Sequence, residues 1–95
     1  MAPITARRLA ELRASLGLSQ ERMAHLIGVS FASVNRWEGG HSAPFGVTLD
    51  IYRALDAALS AGHQPETLLA AATGDRGQFL YRLFAMAYGG KEGVA

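Results

Sequence analysis

The chain is 95 residues long, 49% apolar and 18% charged, with a formal net charge of +1 and no cysteine. That length leaves no room for separate cofactor and substrate lobes, and the apolar content is too high for a disordered tail. No apolar run is long enough to span a bilayer, and without thiols, disulfide scaffolds, thiolate zinc sites and iron–sulfur clusters are excluded together.

Helical periodicity dominates from the first residues, and no alternating run is long enough for a strand, so an all-α fold is expected. The first helix is predicted from about Thr5 to Leu16, with Leu9, Leu12 and Leu16 on one stripe and Gly17 as a left-handed cap. Ser19 is a good N-cap for a second helix, whose buried face is Met23, Ala24 and Ile27 and which Gly28 ends. Ser30 opens a third, with Val34 and Trp37 on one face until Gly39-Gly40 stops it. Two short helices therefore meet at a tight Gly28-Val29-Ser30 turn.

After a loop from His41 to Gly46, Leu49, Ile51, Tyr52, Leu55 and Leu59 predict a long amphipathic fourth helix ended by Gly62. Pro65 suits the first turn of a fifth, carrying Leu68, Leu69 and Ala72. Gly74-Asp75-Arg76-Gly77 is expected to separate it from a sixth helix between Gln78 and Tyr88. That helix carries Phe79, Leu80, Tyr81, Leu83, Phe84, Met86 and Tyr88 almost all the way round, more apolar surface than one side of a small bundle needs. The domain plan is residues 5–60, a second segment of helices over 63–88, and a frayed tail over 89–95.

A glycine between two short helices is what a helix-turn-helix requires, because it lets the second helix cross the first steeply. Leu12-Arg13, Leu16-Gly17-Leu18-Ser19-Gln20, Ala24, Gly28-Val29-Ser30 and Val34-Asn35-Arg36-Trp37-Glu38-Gly39-Gly40 resemble the lambda-repressor-like, or Xre-type, DNA-binding domain. The likeness covers roughly residues 5 to 60 and is in register throughout. It implies a five-helix bundle, here with an additional C-terminal helix, a recognition helix after Ser30, and repression or autoregulation through operator DNA bound as a dimer. It also implies that Gln20, with Ser19, lies where side chain and backbone N–H approach a phosphate, and that Arg13 and Glu38 form an ion pair beneath the DNA-binding surface.

Independent of any family, a turn of 100° per residue places Val34 and Trp37 inward and Ala32 and Arg36 almost directly outward, flanked by Ser33 and Asn35, with Phe31 to the side. Arg36 is the first choice for base reading, since a guanidinium can donate two hydrogen bonds to guanine O6 and N7. Phe31 and Ala32 offer apolar contact to a thymine methyl, and Ser33 and Asn35 can bond a base edge or a phosphate. Phe31 folding back onto the core is the alternative. Arg7, Arg8, His41 and Ser42 are the remaining candidates for the DNA backbone. The loop after Gly39-Gly40 departs from the resemblance, because many such domains carry lysine or arginine there.

Charge supports this weakly. Residues 1–46 carry five arginines against three glutamates, while the remainder carries four basic and five acidic groups. No carboxylate pair, serine–histidine arrangement, phosphate-cradling loop or metal cluster points to an enzyme, and no cofactor is expected. The rival readings are an antitoxin that also neutralises a toxin, and an interaction module whose sixth helix matters and whose helix-turn-helix does not touch DNA. A homodimer is expected, with Phe79, Tyr81, Phe84 and Tyr88 at its interface, although Phe79, Leu83 and Met86 can also serve the core. Arg7 and Arg8 follow the first residues without an apolar h-region, so the cytoplasm, on nucleoid DNA, is the expected location.

Overall fold

A computed structural model describes residues 4–72 and 75–89. Among these, all regular structure is helical: α1 (Ala6–Ser15), α2 (Gln20–Ile27), α3 (Phe31–Glu38), α4 (Gly46–Ser60), α5 (Pro65–Ala71) and α6 (Arg76–Phe84), which runs into a π-helical turn, Ala85–Gly89. No described helix is long and apolar enough to cross a membrane. Two compact units are distinguished, Met1–Tyr52 and Arg53–Ala95, the division falling within α4.

Short polar side chains start the helices. The hydroxyls of Thr5, Ser19 and Ser30 accept from the backbone N–H three residues on, of Arg8, Arg22 and Ser33 respectively, at 3.0–3.1 Å. Each bond satisfies a first-turn donor that has no partner within its helix. Gly28 then ends α2 at φ +81°, its N–H bonded to the Ala24 carbonyl at 2.8 Å, with the Val29 N–H sharing that acceptor at 3.0 Å. A side chain at Gly28 would strain this left-handed position, and without it the chain could not turn so sharply into Ser30. Gly40, at φ +80°, ends α3 in the same way, with the His41 N–H closing onto the Arg36 carbonyl at 3.0 Å.

In the first unit α1 and α2 both pack against α3. Leu9, Leu12, Leu16, Met23, Ala24, Ile27, Val34, Ile51 and Tyr52 are buried. Each large aliphatic side chain among them contributes about 1.5–3 kcal/mol relative to exposure, so the two short helices are held by the core they share. Trp37 meets the edge of Tyr52 with ring centroids 6.2 Å apart and planes at 83°.

In the second unit α5 packs on α6, and Ala54, Leu55, Ala58, Leu68, Phe79 and Leu83 are buried. His63 Nε2 donates to the Met86 carbonyl at 3.1 Å, which ties the chain after α4 to the π-helical turn. The helix expected from Gln78 begins earlier. Asp75 is its N-cap, with Oδ1 accepting from the Gln78 N–H at 2.8 Å, so Arg76 and Gly77 form its first turn rather than part of a spacer. The regular α-helix also stops at Phe84, short of Tyr88. Of the expected separator Gly74 lies outside the described residues, as do residues 90–95 of the expected tail.

Candidate nucleic-acid interface

The recognition candidate α3 divides into two faces. Val34 is fully buried and Trp37 half-buried, while Ala32, Asn35 and Arg36 are exposed. Phe31 is 48% exposed and so does not fold back onto the core. Ser33 is half-buried, with its hydroxyl 3.0 Å from that of Ser30 and its N–H capped by the same serine. Four of the five side chains proposed from sequence to meet bases thus stand together in solvent, and Ser33 lies at their margin beside the cap.

Beneath them runs a polar network that joins α1, α2 and α3. Arg13 Nε and Nη2 donate to Glu38 Oε2 and Oε1 at 2.8 and 2.9 Å, a two-pronged ion pair. Arg13 Nη1 also donates to the Leu18 carbonyl at 2.9 Å, fixing the link between α1 and α2. The side chains are 22% and 5% exposed for Arg13 and Glu38. Burial pushes the Glu38 carboxyl up, but hydrogen bonds from Arg13 and Gln20 and the Arg13 charge outweigh it and hold it below its ordinary range. The bond to Glu38 raises Arg13. Both groups therefore remain charged at neutral pH.

Gln20 belongs to this network, a role its sequence position did not disclose. Its Nε2 donates to Glu38 Oε1 at 3.0 Å, and its Oε1 accepts from Asn35 Nδ2 at 3.0 Å. Both ends of its side-chain amide are engaged within the protein, which leaves the first-turn backbone of α2 as the part best placed for a phosphate. Ser19 spends its hydroxyl on the helix cap. No spacing rule predicts a bond between residues 15 apart, and only the packing of α2 on α3 brings these two amides together.

The other candidates for the DNA backbone lie at the surface. Arg7 is exposed, and Arg8 Nη1 pairs with Glu11 Oε1 at 3.3 Å on an exposed helix face. Such a pair is worth at most about 1 kcal/mol. Ser42 is exposed, and His41 lays its ring against Gly39, where an added Cβ would lie 3.0 Å from His41 Cδ2. Tyr52, under Trp37, is buried with no protein partner for its hydroxyl. Burial pushes its phenol up to about 12, with Glu38 adding to the shift and Arg13 opposing it.

The aromatic residues of α6 separate. Phe79, expected at a dimer interface, is only 3% exposed, so it belongs to the chain's own core and offers no surface to a partner. Tyr81 and Tyr88 are 78% and 57% exposed. Phe84 is half-buried and stacks on Tyr88, with centroids 6.3 Å apart and planes at 16°.

Two short helices packed on each other, joined at a left-handed glycine, with polar and basic side chains carried outward, are the elements of a helix-turn-helix. Residues 9–50 match the family model described as Helix-turn-helix. Residues 9–50 form a helix-turn-helix domain of the lambda-repressor/Xre-like family, a family of DNA-binding regulators. No curated protein and no solved structure matches the chain.

Proposed function

We propose that the protein is a sequence-specific transcriptional regulator, a repressor or autoregulator, that reads an inverted repeat as a homodimer with α3 in the major groove. The observation that carries this reading is the exposed face of α3, with Phe31, Ala32, Asn35 and Arg36 projecting from a helix that the Arg13–Glu38 pair pins from below. Arg36 is its guanine reader, and Phe31 and Ala32 supply contacts to thymine methyls. Ser33, at the margin, reaches a sugar or phosphate. The first turn of α2 at Ser19 and Gln20, with Arg7, Arg8, His41 and Ser42, holds the DNA backbone. Residues 5–60 act as the DNA-binding domain, in the cytoplasm and on nucleoid DNA, and the helices within 63–88 as the dimerisation element.

One recognition helix reads too few base pairs, whereas two about 34 Å apart address successive major grooves on one side of the duplex. Exposure of Tyr81 and Tyr88, with Phe84 stacked on the latter, supports dimerisation through α6. An apolar groove lined by Ala70, Ala71, Tyr81, Ala85 and Met86 favours a second reading, in which this face takes a protein partner such as a toxin. Selection of bound sequences from a random duplex pool, with the oligomeric state measured by sedimentation, tests the main reading. An enriched inverted repeat and a concentration-dependent dimer support the main reading. Failure to enrich any sequence refutes it.

A further inference from the structure

We propose that Asn35 is a specificity-determining residue that reads adenine, its carboxamide held in one orientation by a hydrogen-bond relay anchored at Glu38. This rests on the reading of α3 as the recognition helix and adds to it the identity of a base. The relay starts from a group with no choice of role. An ionised carboxylate only accepts, and Glu38 is kept ionised by the two-pronged bond from Arg13. The end of Gln20 that lies 3.0 Å from Glu38 Oε1 must therefore be its amide nitrogen. That sets the Gln20 oxygen towards α3. The end of Asn35 that lies 3.0 Å from this oxygen must in turn be Nδ2. Direction thus passes from a largely buried carboxylate through two amides to an exposed side chain, each bond setting which end of the next amide faces it.

One Nδ2 hydrogen is spent on Gln20, so Oδ1 and the second Nδ2 hydrogen remain for a ligand. One acceptor beside one donor is what the major-groove edge of adenine complements, with its N6 amine donating and its N7 accepting. The other bases fit worse. Guanine presents two acceptors there, thymine one acceptor and a methyl, and cytosine one donor. Arg36, the neighbouring residue, is donor-only and suits guanine, so the two adjacent side chains read different bases.

The test uses the full chain and synthetic duplexes carrying the selected repeat, varied one base pair at a time. Wild type is expected to prefer adenine at one position of each half-site by about 5- to 150-fold, the equivalent of one good paired contact. Asn35→Ala, at an exposed site where truncation spares the fold, should remove that preference and leave those at other positions. Gln20→Met removes both ends of the relay at similar size. It should reduce discrimination at the same position and move the Asn35 side-chain amide resonances of the free protein. The proposal is overturned if Asn35→Ala weakens all duplexes alike, or if Gln20→Met does so without moving those resonances, as a simple phosphate contact would. Failure of wild type to enrich any sequence overturns the DNA-binding reading itself, whereas an enriched repeat with no adenine dependent on Asn35 overturns this inference alone.

Discussion

Replacing Glu38 by glutamine changes one atom type and almost no volume, so it isolates the charge at the centre of the first unit. Glu38 receives three hydrogen bonds, two from Arg13 and one from Gln20, and its side chain is 5% exposed. In Glu38→Gln, the new amide nitrogen faces donors on Arg13 or Gln20, and Arg13 keeps a largely buried charge without its counter-ion. Breaking a fully buried pair from one side costs about 3–5 kcal/mol. Arg13 retains its bond to the Leu18 carbonyl and is 22% exposed, so a cost of about 2–3 kcal/mol is expected here. For a chain of this size that lowers the thermal midpoint by about 8–24 °C, readable from the helical circular dichroism signal. Arg13→Met should cost a comparable amount, and the double variant Arg13→Met/Glu38→Gln less than the two single changes together, because each single change strands the other partner. A midpoint displaced by under about 2 °C in Glu38→Gln, at a slope of about 4–8 °C per kcal/mol, would refute the reasoning and mark the pair as solvated.

Acid should act through the same residue. The folded carboxyl of Glu38 lies below its unfolded value, so the folded state binds fewer protons, and its contribution is present above the ordinary carboxylate range and lost as pH falls through the folded value. Urea midpoints that fall on acidification below about pH 4.3 in wild type, and fall less in Glu38→Gln, are the expected result. Tyr52 moves the other way. With its phenol raised to about 12, stability is flat below the ordinary tyrosine range and falls as pH rises towards 12, and Tyr52→Phe removes that fall, as alkaline unfolding curves would show. Since its buried hydroxyl has no protein partner, Tyr52→Phe should also be neutral or stabilise by up to about 1 kcal/mol at neutral pH; a loss above that would reveal a bond worth keeping. Arg36→Ala should cost about 1–3 kcal/mol on the selected site and flatten one base position; equal loss on specific and non-specific duplexes would make it a phosphate contact.

The helices of the first unit were legible because their signals are local. Ser19, Gly28 and Ser30 punctuate the turn through bonds to their own neighbours, and the inward positions of Val34 and Trp37 follow from helical spacing alone. The start of α6 is less legible for a related reason: Gly74 and Gly77 suggest a spacer, while the cap from Asp75 to Gln78 spans the second glycine and outweighs it. Phe79 stands between interface and core in the sequence because a helix with apolar residues on every side does not disclose which side the chain covers, and the structure places it in the core. Least legible was Gln20. Its bonds to Glu38 and Asn35 join residues 18 and 15 apart, and only the crossing of α2 and α3 brings them within reach.

The most direct test of the central claim is equilibrium binding of the full chain to the duplex selected from a random pool, titrated against a scrambled duplex over a range of salt. The account predicts an inverted repeat with half-site centres about 34 Å apart, bound at least about a thousandfold more tightly than the scrambled sequence at physiological salt. Equal affinity for both duplexes, or no retained sequence after selection, would contradict it.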